Sequence, residues 1–353
     1  MTTISLFDAD QLERLRRAER LDPHVIRQLR NNLLKKFRPT DDCLEQFPAA
    51  GQLSVHSLQL YRRLDSAQDG ASKLLFRNAD GLLLESVVLR IASGRTTLCV
   101  SSQVGCAAAC DFCATGKMGI ARNLTPAEIL DQVLQAGQLL AEESRRLNNI
   151  VFMGMGEPFH NPDALREAIR QLTDPALFER SGGNILVSTV GLPDEMVQFA
   201  REFPRVNLAL SLHSADQATR ESIIPLARRV SLAALRDAIR EIEQIRGGEL
   251  MVEYLMLRDV NDSLEDARQL LEWLQDLSVH VNLIPFNPVE DSPHLQASSR
   301  PTIESFAGML KSAGQKTTIR YSLGRDIDAA CGQLVRRENR KHAMDELRQR
   351  QDH

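Results

Sequence analysis

The stretch CVSSQVGCAAACDFCATG, residues 99–116, holds four of the six cysteines in this chain of 353 residues. Three of them, Cys106, Cys110 and Cys113, have the spacing C-x3-C-x2-C, whereas Cys99 lies seven residues before the first of the three. Thiolates are soft ligands that favour zinc or iron–sulfur clusters. Three such ligands within eight residues can surround one compact inorganic centre, so the stretch predicts a metal site.

The missing fourth ligand decides which kind of centre is expected. A structural zinc site is closed by a fourth Cys or His, and an ordinary ferredoxin-type cluster has a fourth cysteine. Neither residue type occurs between Cys113 and His160. We therefore expect a four-iron cluster with one iron left open for a substrate or cofactor. The alternative is a zinc site completed from a distance by Cys99, Cys331 or a histidine.

A regular alternation of short apolar segments and longer amphipathic segments begins at residue 97. The helix after the cysteines has Thr125 as N-cap, Pro126 at its first position and Glu128 in a capping box. Apolar strands joined by helices indicate a parallel sheet, and six such units indicate a barrel or partial barrel. Ligands of these folds bind beyond the C-terminal strand ends. The expected strands are residues 97–102, 149–154, 184–190, 206–213, 250–257 and 280–287, with 316–322 as a candidate addition.

The pattern divides the chain into four segments. Residues 1–75 are expected to form an N-terminal helical domain, because apolar residues recur at three- and four-residue steps among charges. Residues 76–96 are expected to be connecting strands, including one at 81–90. The barrel is expected at residues 97–335, followed by a basic tail at 336–353. The predicted fold class is therefore α/β, a partial (β/α)6 barrel with an N-terminal helical accessory domain.

The charge distribution is uneven. The net charge is −4, but residues 14–38 carry nine Lys or Arg and only two acidic residues. This basic segment is either a surface that docks on RNA phosphates or a solvated helical surface, and charge alone does not separate the two. No apolar run reaches the roughly 18 residues of a membrane helix, and the N-terminus lacks the order of a signal peptide. We therefore expect a cytoplasmic protein with reduced thiols and no membrane contact.

Several motifs together resemble those of the RlmN/Cfr family of RNA methyltransferases, part of the radical S-adenosylmethionine (SAM) superfamily. The spacing C-x3-C-x2-C marks the superfamily, and DIDAACGQL together with Cys99 marks the family. The resemblance extends from about residue 81 to 335 and implies that the partial barrel is a radical-SAM barrel. The matching motifs are the cysteine stretch itself, MGMGEP (153–158), SLHS (211–214), MLRDVNDS (256–263), NLIPFNP (282–288) and DIDAACGQL (326–334).

The resemblance implies two cofactors. One is a single [4Fe–4S] cluster per chain, bound by Cys106, Cys110 and Cys113. The other is SAM, whose amino and carboxylate groups the open iron would chelate. Positions in the matching motifs carry over the remaining SAM contacts, which are Gly156, Glu157, Ser188, Ser211, Leu212, His213 and Asn287.

The resemblance also implies the reaction, which is methylation of carbon 2 or carbon 8 of an adenine in 23S ribosomal RNA, with transfer RNA as a further substrate of the RlmN branch. These ring carbons are poor nucleophiles, so Cys331 carries the methyl group from one SAM while a second SAM supplies a 5′-deoxyadenosyl radical. Cys99 would then release the product by forming a transient disulfide with Cys331, and Glu85 would remove the ring proton. The motifs divide between the two branches of the family, so the modified carbon stays open.

The partners implied by the resemblance are RNA and a reducing protein such as flavodoxin or ferredoxin, acting on a monomer. Two other functions are kept as alternatives. One is a radical-SAM enzyme that acts on a protein or small molecule. The other is a non-catalytic iron–sulfur redox sensor that binds RNA through residues 14–38, although a sensor has no need of the polar strand ends that suit a SAM pocket.

Overall fold

The computed structural model describes residues 3–333, apart from the side chain of Ala121. The predicted basic tail at residues 336–353 lies outside the described residues. No helix in the described part of the chain is long and apolar enough to cross a membrane.

The N-terminal segment is helical as far as Glu45, and aspartates cap its first two helices. Asp8 accepts a hydrogen bond from the backbone of Gln11, and Asp22 accepts one from His24. A short parallel pair of strands frames the segment. The elements are β1 (Ile4–Ser5), α1 (Ala9–Ala18), α2 (Pro23–Arg30), a π-helical turn (Asn31–Lys35), α3 (Thr40–Glu45) and β2 (Leu53–Ser54).

Strands follow where the sequence predicted helix. β3 (Gln59–Asp65), β4 (Ala71–Arg77) and β5 (Leu83–Arg90) form an antiparallel meander, so the prediction of helix is wrong for residues 53–75. The physical reason lies in β4, which is buried on both faces. A strand of that kind has a continuous apolar run and lacks the alternation that identifies a half-buried strand.

The parallel part of the molecule starts at β6 (Thr96–Cys99), which leads into the cysteine region. There, a hairpin of β7 (Gln103–Cys106) and β8 (Gly119–Asn123) encloses the short helix α4 (Ala114–Lys117). Six further strands continue the sheet, and they include every later strand that the sequence predicted. They are β9 (Asn149–Phe152), β10 (Ile185–Thr189), β11 (Asn207–Ser211), β12 (Leu250–Met256), β13 (Val279–Pro285) and β14 (Thr317–Ile319).

Helices connect the parallel strands. The predicted capping box on the first of them is confirmed, because Thr125 and Glu128 each accept from the other's backbone. The connecting helices are α5 (Pro126–Glu142), α6 (Pro162–Thr173), α7 (Pro193–Glu202), α8 (Gln217–Ile223), α9 (Leu232–Arg246), α10 (Leu264–Leu274) and α11 (Arg300–Ser312). Shorter 3-10 turns lie at Ala50–Gln52, Pro158–His160, Gly182–Asn184, Pro225–Arg229 and Arg325–Ile327.

One sheet of ten strands joins both parts, in the order β14-β13-β12-β11-β10-β9-β6-β5-β4-β3. Within this sheet β6 and β9 to β14 run parallel, and β3 to β5 extend it in antiparallel fashion. The α/β class and the partial barrel are confirmed. Because the parallel strands share one direction, their C-terminal ends and following loops meet along one edge of the sheet.

Candidate active site

A cavity lies at the C-terminal ends of the parallel strands. It contains about 1000 Å³ of empty space, part of it open to solvent. Loops that are far apart in sequence line it together, as expected for a parallel sheet. The predicted site residues on its wall are Cys106, Cys110, Cys113, Gly156, Glu157, Ser188, Ser211, His213 and Cys331.

The cysteine loop is folded by close backbone contacts. Gly116 packs so tightly that a Cβ atom there would lie 2.8 Å from the backbone nitrogen and oxygen of Cys110. Asp111 ties the loop to the segment that follows β13, because its carboxylate lies 2.6 Å from Nε2 of His294; it also pairs with Lys117 of α4. Cys106 and Cys110 are buried and Cys113 is half-buried.

The three thiols share one environment and influence one another. Burial raises the pKa of Cys106 to about 12 and that of Cys110 well above its usual range, and the neighbouring thiols add to both effects. Three thiolates are the donor set of a [4Fe–4S] cluster with one open iron, in which each cysteine binds a different iron. A structural zinc site needs a fourth Cys or His. The three thiols on this cavity wall therefore fit a cluster.

The MGMGEP loop is held against the strand before the cysteines. The amide of Gly154 donates to Val100 at 3.0 Å, and the amide of Met155 donates to Oγ of Ser101 at 2.8 Å. Gly156 has a φ of 103°, and a Cβ atom there would lie 2.7 Å from Cβ of Gln103. Glycine is required at this position for both reasons. The result is a bare backbone at the cavity wall.

Glu157 is a buried carboxylate facing the cavity. Its Oε2 accepts from the amide of Val190 at 2.9 Å, and its Oε1 accepts from the amide of Phe159 at 3.2 Å. Burial nevertheless dominates and raises the pKa of Glu157 to about 7. Such a carboxyl group is suited to accept a hydrogen bond from a ligand ammonium group, which would favour its ionised form.

His213, which also lines the cavity, is a neutral donor. Burial and the charge of Arg220 lower its pKa to about 3. Its Nδ1 lies 3.1 Å from the amide nitrogen of Leu255 and accepts that hydrogen bond, which leaves Nε2 as the protonated nitrogen. The ring of Phe112 packs edge-on at a centroid distance of 4.9 Å and fixes its orientation. Nearby, the hydroxyls of Ser188 and Ser211 lie 3.4 Å apart.

Cys99 and Cys331, two of the three cysteines outside the cluster motif, lie near each other but are not bonded. Cys331 is exposed at the cavity wall, whereas Cys99 is buried in β6 behind it. Burial, with a smaller contribution from the nearby Cys331, raises the pKa of Cys99 to about 12. Both are free thiols in this structure, so the predicted disulfide is not present.

Glu85 on β5 and Cys99 on β6 lie on the same face of the sheet. Glu85 is buried, and its Oε1 lies 3.4 Å from Nζ of Lys73. The same ammonium group donates to the carbonyl oxygen of Asp328 at 3.3 Å. Lys73 thus links Glu85 to the loop that carries Cys331.

Two predicted residues lie behind the cavity wall. Leu212 is fully buried, and its amide donates to the backbone carbonyl oxygen of Glu253 at 3.1 Å. Asn287 is also buried, and its Nδ2 donates to Oγ of Ser322 at 3.0 Å and to the carbonyl oxygen of Cys331 at 3.3 Å. In this structure Asn287 therefore holds the Cys331 loop.

Comparisons with known proteins show which family this chain resembles. Residues 100–274 match the model of the Radical SAM superfamily. A probable RNA methyltransferase of Rhodopirellula baltica is 64% identical over 97% of this chain and 90% of its own length. The dual-specificity RNA methyltransferase RlmN of Magnetococcus marinus is 43% identical over 81% of this chain and 78% of its own length. The chain belongs to the radical-SAM RNA methyltransferase family that includes RlmN. A crystal structure of a radical SAM methyltransferase from Sphaerobacter thermophilus agrees with a TM-score of 0.86 at 37% identity, covering 94% of this chain and 98% of that one.

The sequence analysis did not predict three charged residues that lie at the site. Arg320 follows β14 and lines the cavity, and its charge interacts with both Cys331 and Cys99. Oε1 of Glu253 lies 3.8 Å from Nη1 of Arg320, whereas Oε2 of Glu253 has no hydrogen-bond partner among residues 3–333. A lone carboxylate inside the apolar segment LMVEYLML was a signal for Glu253.

Arg220 on α8 is the third residue. It is fully buried beside Cys110, and burial lowers its pKa to about 10. One guanidinium nitrogen donates to the carbonyl oxygen of Val190 at 2.5 Å, while Nε and Nη1 have no partner among the described residues. Its sequence context, an ordinary amphipathic helix, offered no signal. A positive charge here favours anionic sulfur at the cluster motif.

Proposed function

We propose that this protein methylates a ring carbon, C2 or C8, of an adenosine in 23S ribosomal RNA, with transfer RNA as a second substrate class. The observation that carries the proposal is one cavity lined both by the three clustered cysteines and by Cys331. A methyl carrier and a radical source must lie together for the one to act on the other. The partner molecules in this proposal are RNA and a small reducing protein such as flavodoxin or ferredoxin.

Cofactor binding is assigned to the cavity wall. Cys106, Cys110 and Cys113 would hold a [4Fe–4S] cluster, and Glu157 and the backbone of Gly156 would hold the amino end of SAM. When bound, the cluster and SAM together supply a 5′-deoxyadenosyl radical that is able to remove hydrogen from a methyl group. The ring of His213 and the hydroxyls of Ser188 and Ser211 would position the rest of SAM.

The chain's own nucleophile is Cys331. As a thiolate it takes the methyl group of one SAM, forming a carbon–sulfur bond while S-adenosylhomocysteine leaves with the electron pair of the broken bond. After the methyl carbon, having lost one hydrogen atom, has bonded to the adenine, Glu85 would take the ring proton, and the one electron released with it would pass to the oxidised cluster. Cys99 would then attack the sulfur of Cys331; the carbon–sulfur bond to the product breaks, the product carbon keeps the electron pair and takes the proton of the Cys99 thiol, and a transient disulfide is left for the reducing protein to reopen.

Mass spectrometry of digested RNA tests the proposal. RNA from cells with and without the gene is compared against standards of 2-methyladenosine and 8-methyladenosine, with a Cys331→Ala strain as control. We expect one of the two nucleosides only with the unaltered gene. Methylation that persists in Cys331→Ala would refute the carrier role.

A second measurement tests the cluster. Anaerobic reconstitution should give about four irons per chain and cleavage of SAM on reduction. Stoichiometric zinc with no cleavage of SAM would refute the assignment.

A further inference from the structure

β3 ends the ten-stranded sheet and presents an exposed strand edge. Five consecutive residues of β3, from Gln59 to Arg63, are exposed. Leu60 and Tyr61 are among the most exposed large apolar side chains of the described residues, at 45% and 48%. An open edge that carries apolar side chains favours association with another molecule unless it is protected. We therefore expect another molecule to bind at this edge, and the side chains of β3 indicate the class of that molecule.

An aromatic ring and a guanidinium group are stacked on this edge. The strand bulges between Leu60 and Arg62, which sets Tyr61 outside the regular pairing with β4. The guanidinium carbon of Arg77 lies 4.2 Å from the centroid of the Tyr61 ring. The stack keeps a flat aromatic surface and a positive charge at one place. Bases of single-stranded nucleic acid stack on such surfaces.

Two adjacent arginines on β3 differ in their charge environment. Arg63 pairs with Asp65 at 2.8 Å and with Glu143, the residue after α5, at 3.1 Å. Arg62, by contrast, is exposed, and neither it nor Arg77 pairs with a carboxylate in the part of the chain that the structure describes. Unpaired guanidinium groups beside an aromatic ring complement the phosphates of a nucleic acid.

The strand register places Arg62 on the same face of the sheet as Glu85 and Cys99. Arg62 is paired with Leu75 of β4, and Leu75 is paired with Glu85 of β5. Side chains directly opposite one another on neighbouring strands share a face. Two strand spacings separate Arg62 from Glu85, so their backbones lie about 10 Å apart. A nucleotide next to the one that reaches Glu85 can contact the edge.

We infer that Tyr61, Arg77 and Arg62 form a docking surface for a single-stranded RNA segment beside the nucleotide that enters the cavity. One base stacks on the exposed ring of Tyr61, and Arg62 binds a phosphate. This inference rests on the proposed function, because it assumes that the substrate is RNA. It adds the requirement that the target nucleotide is flanked by an unpaired base.

Fluorescence anisotropy on the reconstituted holoenzyme tests the inference. The labelled RNA is a hairpin with unpaired adenosines in its loop, and a fully paired duplex serves for comparison. Tyr61→Ala should weaken hairpin binding about tenfold or more, whereas Tyr61→Phe should retain it. Arg62→Gln should reduce the slope of log affinity against log salt by about 0.7. Arg63→Gln is the matched control and should bind the hairpin like the wild type.

Two results would overturn the docking surface. The first is equal hairpin affinity in Tyr61→Ala, Arg62→Gln and the wild type. The second is a wild-type dimer in sedimentation that Tyr61→Ala converts to a monomer without changing hairpin affinity, which would assign the edge to a second copy of the chain. Reductive cleavage of SAM and methylation of the hairpin are measured in parallel. Tyr61-dependent binding without methylation would support the docking surface and refute the proposed function.

Discussion

Nδ2 of Asn287 lies 3.3 Å from the carbonyl oxygen of Cys331, and the same side chain accepts a hydrogen bond from Nε of Arg325 at 3.0 Å. The family resemblance assigns Asn287 to SAM, yet here this amide fixes the loop that presents Cys331, the proposed methyl carrier. The two roles are compatible if binding of SAM to Asn287 releases the loop.

Asn287→Ala should loosen the Cys331 loop in protein without SAM. Removal of the amide takes a hydrogen-bond partner from Arg325 and from the carbonyl oxygen of Cys331, both of which belong to exposed residues, at a cost of about 0.5–1.5 kcal/mol per bond. Backbone amides of residues 324–333 should therefore exchange with deuterium faster. Ser322→Ala, which removes a single hydrogen bond of Asn287, is the control and should have a smaller effect. Unchanged exchange in Asn287→Ala would contradict the anchoring role.

The carboxyl group of Glu157 should make stability fall with rising pH. Burial raises its pKa from 4.5 to about 7. Between those values the unfolded chain has lost this proton while the folded chain keeps it, so the free energy of unfolding decreases as pH rises, by about 3 kcal/mol in all. Urea unfolding of the metal-free protein at pH 5 and pH 8 should show this loss in the wild type and not in Glu157→Gln. An equal change of the free energy of unfolding with pH in the wild type and in Glu157→Gln would refute this prediction.

Lys73→Met should destabilise the protein by about 3–5 kcal/mol, because it leaves the buried carboxylate of Glu85 without its cation. The double variant Lys73→Met/Glu85→Gln should recover much of the loss, because both members of the pair are then neutral. Equilibrium urea unfolding of the two single variants and the double variant measures the coupling. Additive effects would show that the pair contributes nothing to stability.

Cys99→Ala should accumulate a covalent protein–RNA adduct on Cys331, because the proposed mechanism then lacks the thiol that releases the product. The measurement is a ribonuclease-sensitive band shift in denaturing gels after incubation with SAM, reductant and RNA. Cys43→Ala removes another buried cysteine, on α3, and should form no adduct. Release of methylated RNA by Cys99→Ala at the wild-type rate would exclude this role of Cys99.

Asp131→Ala should weaken the attachment of the N-terminal segment to the barrel. The fully buried carboxylate of Asp131 accepts from the amides of Ser57 and Leu58 and lies near Nδ1 of His56, all at 2.8 Å. Its removal leaves two backbone donors unpaired, at a cost of about 3–5 kcal/mol. Urea unfolding measures the loss, and Asp131→Asn, which retains an acceptor oxygen, should lose less. An unfolding curve of Asp131→Ala that overlies the wild type would contradict this.

The cysteine spacing and the apolar strand pattern predicted the parallel barrel and the shared edge on which Glu157 and His213 meet, whereas the place of Cys331 at the site was implied only by the family resemblance. The spacing and the strand pattern are local or periodic, so the sequence displays them directly. The sequence did not predict the meander of β3 to β5 in the same way. The apolar run of β4 results from burial between neighbouring elements, and only the fold brings those elements together.

By itself the sequence determined which residue types are present at the strand ends and how the three clustered cysteines are spaced. Only the tertiary structure decided that Arg320 and Glu253 lie at the cavity, that Lys73 pairs with Glu85, and that Asn287 holds Cys331. These pairings join residues that are 12 to 67 positions apart. Their partners are set by strand order and register, and no local pattern encodes the contact between two side chains that the sheet brings together.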